Sequence, residues 1–120
     1  MLRLMCKSKI HRAAITRCNI HYKGSVGIDA DLLKAGDILP YEIVQVINVD
    51  TGARFETYAI EEKRGSGELA LYGGAARLGK IGETVIIISS AILSSREARA
   101  HRPKIVLVGR RNKIIKKGKK

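Results

Sequence analysis

Two runs, Thr84-Val85-Ile86-Ile87-Ile88 and Ile105-Val106-Leu107-Val108, constrain the fold of this chain more than any other feature. β-Branched side chains are stiff at χ1 and pack well on a pleated surface, so short runs rich in them favour strands. Neither run alternates with polar residues, which is the pattern of strands buried on both faces. Ile43-Val44-Gln45-Val46-Ile47-Asn48-Val49 and Phe55 to Ile60 read as two further strands, and Lys9 to Thr16 has strand composition with less regularity. Helical segments are minor. Asp29 to Gly36 has an acidic start, the apolar pair Leu32-Leu33, and Gly36 where a C′ residue would fall. Ser94 to His101 fits one or two turns, stopped by Pro103. Gly-rich punctuation falls at Arg64-Gly65-Ser66-Gly67 and Tyr72-Gly73-Gly74, and there is no internal repeat. The expectation is an all-β chain, mainly β with short helices: about six to eight short strands closed into a small β-barrel.

At 120 residues the chain is expected to be one domain, 1–120, and its 45% hydrophobic content is too high for a wholly disordered chain. With Trp 0 and Phe 1, aliphatic residues must build the core, and few aromatics remain for base stacking. The net charge of +12 points first to nucleic acid, and a small basic nucleic-acid-binding barrel is the alternative reading. The charge is uneven, however. Residues 1–24 hold six basic groups and no acid, residues 25–97 hold all eleven acids against seven basic groups, and residues 98–120 hold ten basic groups. Most of the excess therefore lies in a basic tail, about 110–120, which reads as solvated, and no nucleic acid is expected. Cys6 and Cys18 are too few for a disulfide scaffold. No charged-then-apolar leader and no membrane span are expected, because the longest uncharged stretch, about Thr84 to Ser95, is short of the ~20 residues a spanning helix needs. A cytoplasmic location is the default.

No familiar catalytic loop appears: there is no G-x-S-x-G, Walker A or strand-borne G-x-G-x-x-G sequence. Cys6, His11, Cys18 and His21 lack the paired spacing of common zinc sites, and on an extended segment Cys6 and His11 point to opposite faces, so no metal is expected. Lys9 and His11 are two apart and share a strand face, as do Arg54 and Tyr58, with Thr57 between them. An Arg and a Lys reaching one pocket suit a substrate with two carboxylates, and a phenol beside them can move a proton. A solvated strand face is the ordinary reading of each cluster. Tyr72-Gly73-Gly74-Ala75-Ala76-Arg77 could present backbone N–H groups at the start of a helical turn, or be a plain β-turn. In His21-Tyr22-Lys23-Gly24-Ser25, Gly24 permits strained backbone that would let the Ser25 hydroxyl attack the preceding carbonyl, although a turn is the plain reading.

Taken together, these stretches resemble the pyruvoyl-dependent aspartate 1-decarboxylase family. The carriers are Lys9-Ile10-His11-Arg12, His21 to Ser25, Ile47-Asn48-Val49, Gly52 to Ile60, Arg64 to Gly67 and Gly73 to Arg77, with Gly79 to Ile88 and Glu97-Ala98-Arg99 completing them. They cover about residues 1–109 in unbroken order. The resemblance implies a six-stranded double-psi β-barrel, a homotetramer with active sites between subunits, and decarboxylation of L-aspartate to β-alanine for pantothenate synthesis. It implies self-cleavage between Gly24 and Ser25 into 1–24 and 25–120, leaving a covalent pyruvoyl group at residue 25, with Thr57 near the scissile carbonyl. Substrate carboxylates are matched to Lys9 and Arg54, pocket shape to His11, substrate contacts to Thr57 and to Tyr72, Gly73, Gly74 and Ala75, and reprotonation of the α-carbon to Tyr58. Where the family usually has Asn-Gly-Ala-Ala, this chain reads Tyr72-Gly73-Gly74-Ala75. The family's Asn amide helps position the pyruvoyl end or the substrate, and Tyr72 is larger with a different donor geometry.

Overall fold

The computed structural model describes residues 1–119. Its strands are β1 (Leu2–Ala14), β2 (Arg17–Asn19), β3 (Ser25–Asp29), β4 (Ile43–Asn48), β5 (Arg54–Glu62), β6 (Leu69–Tyr72), β7 (Thr84–Ser94), β8 (Lys104–Val108) and β9 (Ile114–Lys119). Two helices, α1 (Ala30–Gly36) and α2 (Ser95–Ala100), interrupt them. The strands form one sheet in the order β2-β6-β3-β5-β4-β7-β1-β8-β9, with parallel pairs β2–β6, β3–β5 and β1–β8 among antiparallel neighbours. The all-β expectation holds.

Strand alternation sorts the side chains. Ile10, Val26, Ile28, Val44, Val46, Val85, Ile87 and Val106 are fully buried in one core with Leu69 and Leu71. Ile43, Ile47, Ile86, Ile88, Ile105 and Leu107 alternate with them and lie on the outer face, where none is fully buried and Ile43 is 56% exposed. The apolar runs at 84–88 and 105–108 are thus not buried on both faces within this chain, because a single curved sheet has only one inside. The result is an apolar outer face on β4, β7 and β8, with Lys9 and His11 of β1 set between the last two.

Among the described residues no ladder joins the two ends of the strand order, but hydrogen bonds tie the two halves of the sheet. Thr16 N–H donates to the Leu69 carbonyl, at the start of β6, at 2.8 Å. Asn112, 3% exposed, accepts from Ala14 N–H and donates to the carbonyls of Ala14 and Gly67, each at 2.8 Å.

The helices are fixed by their caps. Asp29 caps α1 by accepting from Asp31 N–H at 2.8 Å. At its other end the left-handed residue is Asp37 (φ 55), not Gly36. Gly36 stays in the helix, where an added Cβ would sit 3.4 to 3.6 Å from Ile38, Ser8 and Ile10. A capping box of Ser94 and Glu97 starts α2, and His101 ends it before Pro103. The basic run expected as a solvated tail pairs instead: Ile114–Lys119 is β9, antiparallel to β8. Lys120 lies outside the described residues.

Candidate active site

Ser25 opens β3. Because Val26 and Ile28 fill the core, alternation turns Ser25, Gly27 and Asp29 to the opposite face. Antiparallel pairing sets Ser25 against Tyr72 of β6. Parallel pairing sets Val26 against Ala59 of β5, so the register puts Ser25 beside Tyr58. One row across three strands therefore reads Tyr72, Ser25, Tyr58. Ser25 is 1% exposed, whereas Gly24 is exposed at the end of the preceding turn. The Ser25 hydroxyl makes a long contact, 3.4 Å, to the Lys23 carbonyl. Tyr58 is half-buried, with its ring centroid 6.2 Å from that of Tyr41. Thr57, one residue earlier, pairs with core residue Val44 and so faces the other side of β5.

Gly24 does not use the left-handed conformation that glycine permits, and a Cβ on it would meet the Tyr72 carbonyl at an ordinary 3.9 Å. Gly73 is the constrained residue instead. Its φ is +64°, and an added Cβ would lie 2.7 Å from the Gly24 Cα and N and 3.0 Å from the Tyr22 carbonyl. The 3-10 turn Gly73–Arg77 is thereby pressed against the backbone of the Gly24–Ser25 turn. Ala75 is buried in this turn, while Gly74 is exposed with open space where a Cβ would be.

Tyr72 is 5% exposed, and its hydroxyl is committed on two sides. It donates to Glu62 Oε2 at 2.6 Å and accepts from Arg17 Nη2 at 2.7 Å. Arg17 also lies 3.5 Å from Glu62 and 3.7 Å from Glu68, and its guanidinium carbon is 5.6 Å from the Tyr72 ring centroid. The Glu62 carboxylate occupies the space a Cβ on Gly27 would need. Burial, then the Glu62 hydrogen bond and charge, push the Tyr72 phenol up to about 12, against the opposing pull of Arg17. Tyr22 packs on the same ring, with centroids 4.5 Å apart. Arg17, Tyr22, Glu62 and Glu68 were not among the site residues expected from sequence. Their only local signal is the motif around Tyr22, because Arg17 meets Glu62, Glu68 and Tyr72 across more than forty residues of chain.

The remaining expected residues form a second group on the outer face. The rows read Arg54–Ile47–Ile86–His11–Leu107 and Glu56–Gln45–Ile88–Lys9–Ile105. Lys9 and His11 do share a face, as do Arg54 and Tyr58, and Ile47, Ile86 and Ile88 lie between the cations. Lys9 is four ladder steps from Ser25, roughly 19 Å along the curved sheet at ~4.8 Å a step, and Arg54 is four residues, about 13 Å, along β5 from Tyr58. One chain thus brings Ser25, Tyr58, Tyr72 and Gly73 together but holds Lys9, His11 and Arg54 apart from them. Among the described residues, no group of three His, Cys, Asp or Glu side chains is placed to hold a metal ion.

A family model described as Aspartate decarboxylase matches residues 1–115. The chain belongs to the aspartate decarboxylase family. An aspartate 1-decarboxylase of Thermoanaerobacter pseudethanolicus is 52% identical over 96% of this chain and 98% of its own length. One from Pelotomaculum thermopropionicum is 56% identical over 96% and 87%, and one from Syntrophobacter fumaroxidans is 51% identical over 100% and 97%. The aspartate decarboxylase match thus runs from β1 into β9, further than the motifs alone reach. A computationally designed protein of known crystal structure superposes more loosely, with TM-score 0.47, 13% identity, and coverage of 74% of this chain and 99% of its own. Among the described residues, no helix is long and apolar enough to cross a membrane.

Proposed function

We propose that this member of the family decarboxylates L-aspartate to β-alanine and CO2, feeding pantothenate synthesis, and that it first breaks its own chain between Gly24 and Ser25. The observation that carries the reading is the position of Ser25: buried, first in β3, between Tyr58 and Tyr72, and directly after an exposed Gly24. A bond at that place joins an outer turn to an inner strand, so it can open without undoing the β3 ladder.

In the cleavage, the Ser25 hydroxyl oxygen attacks the Gly24 carbonyl carbon and the peptide C–N bond breaks, the hydroxyl proton passing to the nitrogen. Loss of the Ser25 α-proton then breaks the new ester C–O bond, releasing residues 1–24 with a Gly24 carboxylate and leaving dehydroalanine. One water hydrolyses that group, ammonia departs, and a ketone remains at residue 25. The residues present fit such a group: a buried strand start with a phenol on either side and the Gly73 backbone close by. A ketone there supplies an electrophile for the substrate amine and an electron sink for departing CO2. Tyr58 returns a proton to the substrate α-carbon. Arg54 and Lys9 each bind one carboxylate, and His11 shapes the pocket between them. The backbone of Gly73, Gly74 and Ala75 contacts substrate, whereas Thr57 lies on the other side of β5 from Tyr58.

Lys9 and His11 stand too far along the sheet to meet a substrate held at residue 25 of their own chain, so a neighbouring copy supplies them. The half-exposed isoleucines around them suit burial against that copy, which supports the homotetramer. The test is denaturing mass spectrometry with an assay for β-alanine. Two fragments meeting at residues 24 and 25, a ketone on the second, and loss of cleavage and activity together in Ser25→Ala are expected. A chain that stays whole on prolonged warm incubation overturns the reading.

A further inference from the structure

The self-cleavage proposed above needs the Lys23-Gly24-Ser25 turn held in one place before any bond breaks. The β3 ladder holds Ser25 from one side, but Gly24 is exposed, and among the described residues the Ser25 hydroxyl has one long contact, to the Lys23 carbonyl. What does fix the turn is a set of side chains behind it. Tyr22 of the turn packs on the Tyr72 ring, and the Tyr72 hydroxyl is locked between Glu62 and Arg17.

The geometry points to Tyr72 as a positioning residue for self-cleavage: clamped by Arg17 and Glu62, it anchors Tyr22 and so sets where the Gly24 carbonyl lies relative to the Ser25 hydroxyl. Tyr72 gives its only proton to Glu62, so it has none to offer a substrate. Its neighbours also divide across the cut. Arg17 and Tyr22 belong to residues 1–24, whereas Glu62, Glu68 and Tyr72 belong to residues 25–120. The clamp is therefore the place where the two products hold each other beside residue 25. Gly73 completes it, since the chain after Tyr72 must pass within contact distance of Gly24. The inference rests on the proposed cut at Gly24–Ser25 and adds to it the residue that sets its rate.

The experiment follows freshly made chain by denaturing mass spectrometry and measures the first-order rate of appearance of the two fragments. Tyr72→Ala slows cleavage about tenfold or more. Tyr72→Phe keeps the ring on Tyr22 and loses only the hydroxyl, so it slows cleavage less, and Arg17→Met matches it. Tyr22→Ala slows cleavage as Tyr72→Ala does, and the double variant is within about twofold of the slower single one, because both remove the same contact. A purely structural role predicts independent, multiplied effects, and that result overturns the clamp. So does a Tyr72→Ala chain cleaving at the wild-type rate, or a Tyr72→Phe chain that melts as wild type yet cleaves no faster than Tyr72→Ala. Wild-type chain and Ser25→Ala report on the cut itself: if the wild type never cleaves, the processing reading fails, whereas cleavage indifferent to Tyr72 removes the clamp alone.

Discussion

At the residue scale, Tyr58 and Gly73 should separate the two chemistries proposed for Ser25. Tyr58→Phe keeps the ring beside Ser25 and removes only the proton proposed to go to the substrate. Cleavage should run to completion while turnover falls about a hundredfold, within the range of a lost general acid. Denaturing mass spectrometry and β-alanine formation measured on one preparation check this, and unchanged turnover excludes Tyr58 as the acid. Gly73→Ala should do the reverse. Its Cβ would sit 2.7 Å from Gly24, in a backbone conformation that disfavours any side chain, so the turn must shift. Uncut chain should accumulate, and normal cleavage of Gly73→Ala would show that the turn tolerates displacement. The motif around Gly24 was legible in sequence, but the demand for glycine falls at residue 73. That demand arises from two backbones meeting, which no local pattern records.

At the element scale, Asp29 joins β3, α1 and the 65–67 loop. Its carboxylate accepts from Asp31 and Gly65 N–H through one oxygen and from Gly67 N–H at 2.8 Å through the other. Burial alone would raise its pKa, but those three bonds and the nearby Lys113 hold it below the usual 3.8. Glu42 behaves alike. Burial is outweighed by hydrogen bonds from Ser89, Lys7 and Leu39 N–H, so it lies below the usual 4.5 while tying the α1–β4 connection to β1 and β7. A carboxylate depressed in the folded state stabilises above its unfolded pKa, and that stabilisation disappears as pH falls through the folded value. Urea unfolding should therefore show stability constant from about pH 7 to 5 and falling below about pH 4. Asp29→Asn should cost about 2 kcal/mol at pH 7 and reduce the acid loss. An acid profile identical to wild type would remove Asp29 from this account. The Asp29 start of α1 could be read from sequence. β3 and β6 could not: the first carries Gly27, and Leu69-Ala70-Leu71-Tyr72 has no β-branched residue, so only pairing makes them strands.

At the scale of the whole molecule, the two groups of site residues and the apolar outer face make one argument. If Ser25 of one copy works with Lys9 of another, Ser25→Ala and Lys9→Ala chains, each inactive alone, should recover activity when co-expressed. Random mixing of equal amounts would restore roughly a quarter of the sites. Purified mixed oligomers assayed for β-alanine check this, and no recovery would place Lys9 and Ser25 of one chain in the same site. The net charge of +12 also takes on a different meaning. Its densest part is an edge strand, β9, with Lys116 and Lys117 exposed on it and Lys113 donating to the Gly65 carbonyl just before it. Lysines on an exposed edge discourage further strand addition, so this charge protects the sheet edge.

By itself the sequence determined that the chain would be β-rich, and it offered candidates for decarboxylase chemistry and for the cleaved bond. The first rests on local chemistry, in β-branched runs; the candidates rest on a resemblance carried by a Gly-Ser dipeptide and by cations and a phenol at strand spacing. Tertiary structure alone decided that Ser25, Tyr58 and Tyr72 form one row while Lys9 and Arg54 lie elsewhere on the sheet. It also decided that Tyr72 faces Glu62 and Arg17, and that the isoleucine runs leave half their side chains outside the core. The physical reason is the same in each case. Strand pairing joins residues from six to ninety-six positions apart, and a register of period two sets which face every side chain takes.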